Sequence, residues 1–345
     1  MKQLLLILVF SLGIFSARSQ DTTYTKKVDS LTQLAYQYLY TVKDSAFYYF
    51  DEISKLARQE EDWKSLLETG ISVNRIAGYH YDLEKMRVNI AAMDTLFTQK
   101  SSYFEALPDY HFYQNSLLYD KGAYYFEVDN LKRSRDFFEQ LISNTENPSD
   151  TLFLAEQNDL LSTAYSFMAK MYANESKYDL AKQYYNRNIR LISEVKPDDL
   201  SSLHINYSLL AEVFSNEGAY ARSNDYFTRA LNYYLQNNGN TNTKVSIAQN
   251  IIKNHLNLSQ PDSAQHYLSL MRQQLPENHP FWNRYYAIEG DFYAKKADRT
   301  TAEQSLKQSL ELYQLKWQDK KHEEVALAHN KFGLLFLEAD EPEEA

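Results

Sequence analysis

Residues 206–231, NYSLLAEVFSNEGAYARSNDYFTRAL, space Ala211, Phe214, Gly218, Tyr220, Phe227 and Ala230 where two helices joined by a tight turn would touch. The plan recurs. SFMAKMYANESKYDLAKQYYNRNI (166–189) carries Ala169, Tyr172, Tyr178, Ala181 and Tyr185 about 42 residues earlier, and YAIEGDFYAKKADRTTAEQSLKQSL (286–310) carries Gly290, Tyr293, Ala302 and Leu306 at matching offsets. YDKGAYYFEVDNLKRSRDFFEQLI (119–142) supplies Gly122, Tyr125, Leu131, Ser134 and Phe138. A period of about 40 residues constrains the fold more than any other feature, because one helical hairpin cannot bury its apolar face alone and must stack on its neighbours. Two helices approach closely only where a side chain is small, and aromatic residues one turn away fill the space to the next hairpin.

Nearly everything after residue 20 reads as amphipathic helix, with the few prolines and glycines at breaks such as KPDD (196–199) and LPENHP (275–280). No sustained two-residue alternation marks a strand. DSAFYYFDEI (44–53) and DSAQHYLSLM (262–271) are near-duplicates, each read as an Asp/Ser cap opening a second helix. The copies at 31–57 and 66–93 are degraded, the latter with Ser72 and Glu84 at the small positions.

The run small-x-x-aromatic, turn, aromatic, Ala, x3, aromatic resembles the tetratricopeptide repeat (TPR). The resemblance implies an all-α, right-handed superhelical solenoid of antiparallel helix hairpins. It covers residues 20–345 as about seven hairpins plus a partial eighth, with spacings of about 38 to 50 residues, as in sensor-type variants of the family. In the last copy Gly333 and Phe336 mark a first helix, Pro342 opens a second, and Ala345 stands where its small residue belongs. Arrays of this kind end in a polar capping helix, so the pattern predicts a chain that continues, or a last hairpin covered by a partner or by self-association.

The first 19 residues read as a signal peptide: Lys2, an apolar run over 4–15 too short to span a bilayer, then Ala17 and Ser19 before a cleavage point that leaves Gln20 first. Removing Lys2 and Arg18 leaves 34 basic against 46 acidic residues, a charge of −12. That balance, without any Lys/Arg run, disfavours nucleic acid and anionic membrane surfaces as partners. No second apolar run long enough to span a membrane follows. The chain has no cysteine, which excludes disulfides, thiol catalysis and lipid attachment through an N-terminal cysteine.

Motifs for phosphate-cradling loops, nucleophile elbows and zinc helices are missing, so the sequence predicts no enzyme, no cofactor and no metal. His322 and His329 lie seven apart on one helix face, about 10.5 Å along the axis, too far for one ion without other ligands. His255 and His266 lie on consecutive helices and read as packing residues.

The expected function is protein or peptide binding. In such arrays the first helices line a groove, and the face opposite the inter-helix seam holds Tyr119, Phe126, Lys170, Asn174, Glu212, Asn216, Asp291 and Lys295. Asn174 and Asn216, at equivalent places, suit hydrogen bonds to an extended peptide; a solvated polar face is the other reading. The 29 tyrosines include doublets at 48–49, 124–125, 184–185, 233–234 and 285–286, which divide between packing and a recognition surface. The resemblance implies an exported, periplasmic module, the sensory N-terminal part of a bacterial signal-transduction or transcription-regulatory protein. The alternatives are a complete exported scaffold or assembly factor for an envelope complex, and a helical-repeat glycan-binding protein or enzyme.

Overall fold

Five turns inside helix pairs share one backbone rule: the residue after the helix cap, Tyr81, Asp129, Gly218, Ser259 or Ala297, adopts positive φ, as Glu61, Ser176 and Asn238 do in other turns. The next amide then reaches five residues back, as Asp82 N donates to Ala77 O at 2.7 Å, Asn130 N to Tyr125 O at 2.8 Å and Asp298 N to Tyr293 O at 3.0 Å. This closure satisfies the orphan carbonyls of the first helix and folds the second back against it. The computed structural model describes residues 22–39, 41–146 and 154–317, with Ala326, Asn330 and Gly333 beyond them. The expected signal peptide, His322, His329 and almost all of the expected partial eighth hairpin lie outside the described residues.

Among those residues there are fifteen helices and no strand. They fall into two compact units divided after Glu175. The first holds α1 (Thr22–Tyr38), α2 (Lys43–Gln59), α3 (Trp63–Tyr79), α4 (Leu83–Gln99), the short α5 (Ser101–Glu105), α6 (Tyr110–Glu127), α7 (Leu131–Glu146) and α8 (Leu154–Asn174). In it α1 pairs with α2, α3 with α4 and α6 with α7, while α3 packs on α6 and α6 on α8. The second holds α9 (Tyr178–Val195), α10 (Leu200–Asn216), α11 (Tyr220–Gln236), α12 (Thr241–Asn257), α13 (Pro261–Gln274), α14 (Trp282–Lys295) and α15 (Arg299–Trp317). There α10 pairs with α11, α12 with α13 and α14 with α15.

In three of the pairs a small residue, Gly122, Ala211 or Gly290, stands on the first helix seven before the positive-φ turn residue; α12 carries the buried Ile252 there. A methyl on Gly122 would lie 2.8 Å from Phe138 Cζ, and one on Gly290 2.5 Å from Leu306 Cγ. Across the seam, Ser134 Oγ donates to Gly122 O at 2.8 Å and Ser223 Oγ to Ala211 O at 2.7 Å.

This rule corrects the register of the degraded second copy. Counting back from Tyr81, the small position of α3 is Asn74, and its partner on α4 is Met86. Ser72 instead meets the Tyr36 hydroxyl of α1 at 3.1 Å, and Glu84 is exposed beside Arg87. Asp44 and Asp262 likewise do not cap: they lie within the first turns of α2 and α13, whose cap residues are Val42 and Gln260. Ala46 and Ala264, two residues on, are fully buried in equivalent places.

Candidate functional site

The α3 seam, which carries an amide where α6, α10 and α14 carry Gly or Ala, opens onto a cavity. Asn74 is fully buried on α3. Its Nδ2 donates to Asp120 Oδ2 of α6 at 2.7 Å, and its Oδ1 accepts from Asn89 Nδ2 of α4 at 2.7 Å. The Asn89 amide also donates to Gly70 O at 2.7 Å. A buried amide so bonded is held in one orientation, and it holds its neighbours.

Asp120, Asn74, Arg75, Met86, Tyr119 and Glu127 line a cavity of about 20 Å³, room for about one water. Burial pushes the Asp120 carboxyl up to about 7, against the opposing Arg75 guanidinium and the Asn74 hydrogen bond. Burial, then the charge of Asp120, pushes the Tyr119 hydroxyl up to about 12. Burial also raises the Glu127 carboxyl, opposed by Lys170.

Beside the cavity stands an aromatic wall. Phe167 of α8 stacks on Phe138 with centroids 4.9 Å apart and meets Phe126 edge-on at 5.0 Å and Tyr119 at 6.3 Å. The Lys170 ammonium lies 4.8 Å above the Phe126 ring. The structure thus brings Tyr119, Phe126 and Lys170 together around Phe167, with Tyr119 and Phe126 half-buried and Lys170 exposed. Asn174 is exposed one turn further along α8.

The remaining sequence candidates lie in the second unit. Glu212 and Asn216 are exposed one turn apart on α10, and Glu212 is close enough to raise the buried Tyr185 hydroxyl, burial being the larger cause. Asp291 is half-buried on α14 and Lys295 is exposed one turn on. His255 stacks on Tyr267 at 5.7 Å and shares a 2.8 Å contact between its Nδ1 and Gln260 Oε1, while His266 meets the same tyrosine edge-on. Among the described residues no group of three His, Cys, Asp or Glu side chains is placed to hold a metal ion.

No family model matches the sequence, and no curated protein matches it either. Solved structures do. A tetratricopeptide repeat protein from Parabacteroides merdae superposes with a TM-score of 0.52 at 10% identity, covering 90% of this chain and 99% of that one. The apo form of the quorum sensor NprR from B. thuringiensis gives 0.52 at 11% identity, covering 93% and 95%. The fold is a TPR-like helical repeat.

In TPR-like terms α3 and α6 are first helices of successive hairpins, so the Asn74–Asp120 pair joins two repeats on their first-helix side. The aromatic wall extends that side to α8. Sequence reasoning missed Asn74 and Asp120. The usable signal was an amide seven residues before a turn, at a place where three other hairpins carry Gly or Ala. No described helix is long and apolar enough to cross a membrane.

Proposed function

We propose that the chain is a non-enzymatic, peptide- or protein-binding repeat module, and that the first-helix cleft of its N-terminal unit is where the partner is recognised. One observation carries this reading. At Asn74 a buried, hydrogen-bonded amide stands where α6, α10 and α14 carry Gly or Ala, beside a half-exposed aromatic wall. Local rules are broken in folded proteins mostly where function requires it. The half-buried Arg75 and Glu127 and the exposed Lys170, beside Phe126 and Phe167, supply polar contacts for a peptide backbone and an apolar face for one side chain, and the buried Asn74–Asp120 pair holds them in place.

The leader-like N-terminus and the resemblance to sensor-type repeats support an exported, periplasmic module that serves as the sensory part of a signalling protein. On this reading the second-unit residues Glu212, Asn216, Asp291 and Lys295 form a solvated face rather than the primary contact.

Selection of a random peptide library on the full chain tests the site. Selected peptides should bind Lys170→Glu or Phe126→Ala about tenfold more weakly, a change of about 1.4 kcal/mol. They should bind Glu212→Ala and Asn216→Ala as they bind the wild type. Peptides indifferent to the first-unit changes but lost with the second pair would move the site to α10.

A further inference from the structure

Tyr113 of α6 sets one hydroxyl between two acids. Its oxygen lies 2.6 Å from Glu68 Oε1 of α3 and 3.0 Å from Asp109 Oδ2 at the cap of α6. Both are hydrogen-bond distances, yet a phenol has one hydrogen to give and an ionised carboxylate has none. The second contact needs a proton from one of the acids.

We infer that Glu68 holds that proton: protonated Glu68 donates to the Tyr113 oxygen, Tyr113 donates to Asp109, and this chain forms a proton-dependent clamp between α3 and α6. Asp109 is the anionic end, because the Lys64 ammonium sits 2.6 Å from the same Oδ2. Asp109 is buried, and its Oδ1 has no partner, so the pair is already short of donors before a second negative charge is added.

The groups facing Glu68 act in both directions. Burial raises its carboxyl most; the Tyr113 hydrogen bond and the Lys64 charge oppose this, while Asp109 and Asp62 add to it. Asp62, at the cap of α3, accepts from the Tyr24 hydroxyl of α1 at 3.1 Å. Tyr113 keeps its own proton, since burial first and the two acids next push its hydroxyl far above the usual tyrosine range.

Ionising Glu68 would set two carboxylates against one hydrogen and loosen α3 from α6. The folded protein holds the proton more tightly than the unfolded chain does. The clamp's contribution is therefore complete below the ordinary glutamate range and is lost as pH rises through the raised folded value.

The experiment is a carboxyl-carbon NMR titration of the full chain labelled on glutamate, with Glu68 assigned through bonds in the wild type. Glu68 should titrate above the ordinary glutamate range. Glu68→Gln, whose amide donates to Tyr113 as the protonated acid does, should keep the neutral-pH stability and remove the part of its decline with rising pH that Glu68 causes. Glu68 titrating in the ordinary range overturns the clamp. So does a Glu68→Gln protein that is unfolded at neutral pH or as pH-sensitive as the wild type.

Discussion

The Asn74 amide of α3 donates a 2.7 Å hydrogen bond to the Asp120 carboxyl of α6, and both side chains are buried. One contact therefore joins two successive repeats and lines the small cavity between them. Its acid is held where water cannot stabilise the charge.

That placement predicts a pH dependence. The Asp120 carboxyl is pushed up to about 7 in the fold, whereas in the unfolded chain it returns to the ordinary aspartate range. The native state thus binds a proton that the unfolded state has released, and stability falls as pH rises from about 4 through about 7. Asp120→Asn removes this contribution and still accepts from Asn74 through its amide oxygen. The fall in urea midpoint between pH 5 and pH 8 should shrink in the variant, with a gain on the order of 1–3 kcal/mol over wild type at pH 8. Equal pH slopes in the two proteins would show that Asp120 is ionised in the fold.

Gly122 predicts a packing defect. A methyl there would lie 2.8 Å from Phe138 Cζ, and Phe138 cannot yield easily: it is fully buried, with Phe167 stacked on it and Tyr119 against its edge. Gly122→Ala should cost about 1–3 kcal/mol despite the better helix propensity of alanine. Thermal unfolding measures it, and a variant as stable as wild type would mean that the ring stack shifts freely.

Ala297 predicts a gain. It stands at φ 59° in the turn between α14 and α15, exposed. A left-handed conformation costs an L residue about 1–2 kcal/mol, and glycine avoids this while losing somewhat more chain entropy on folding. Ala297→Gly should therefore stabilise the protein by about 0.5–1 kcal/mol, read as a raised Tm; a lowered Tm would contradict the turn geometry.

The same turn chemistry explains which parts of the structure could be read from the sequence. Gly122, Ala211, Phe214, Phe227 and Gly290 announce close helix pairs because the spacing of small and aromatic residues is a local signal. Tyr81 hides the register of α3, since a tyrosine in a left-handed turn looks like helix, and the small position was accordingly placed at Ser72, two residues before Asn74. With Asn74 misplaced, its partner 46 residues away could not be found. Tyr119 and Phe126 show a second limit. A helix period tells which face they share, but it does not show that Phe167 arrives from α8 to half-bury both.

Export makes the last prediction. Lys2, the apolar run over 4–15 and the small residues Ala17 and Ser19 read in sequence as the three parts of a secretory leader, which predicts cleavage after Ser19. Expression of the chain in a bacterial host should yield a processed protein beginning at Gln20, found in the envelope fraction and identified by N-terminal sequencing and intact mass. Peptidase pockets accept only small side chains beside the cut, so Ala17→Leu together with Ser19→Leu should block processing and leave the precursor membrane-bound. Recovery of an unprocessed wild-type protein beginning at Met1 in the cytoplasm would refute both the leader and the periplasmic placement of the repeat array.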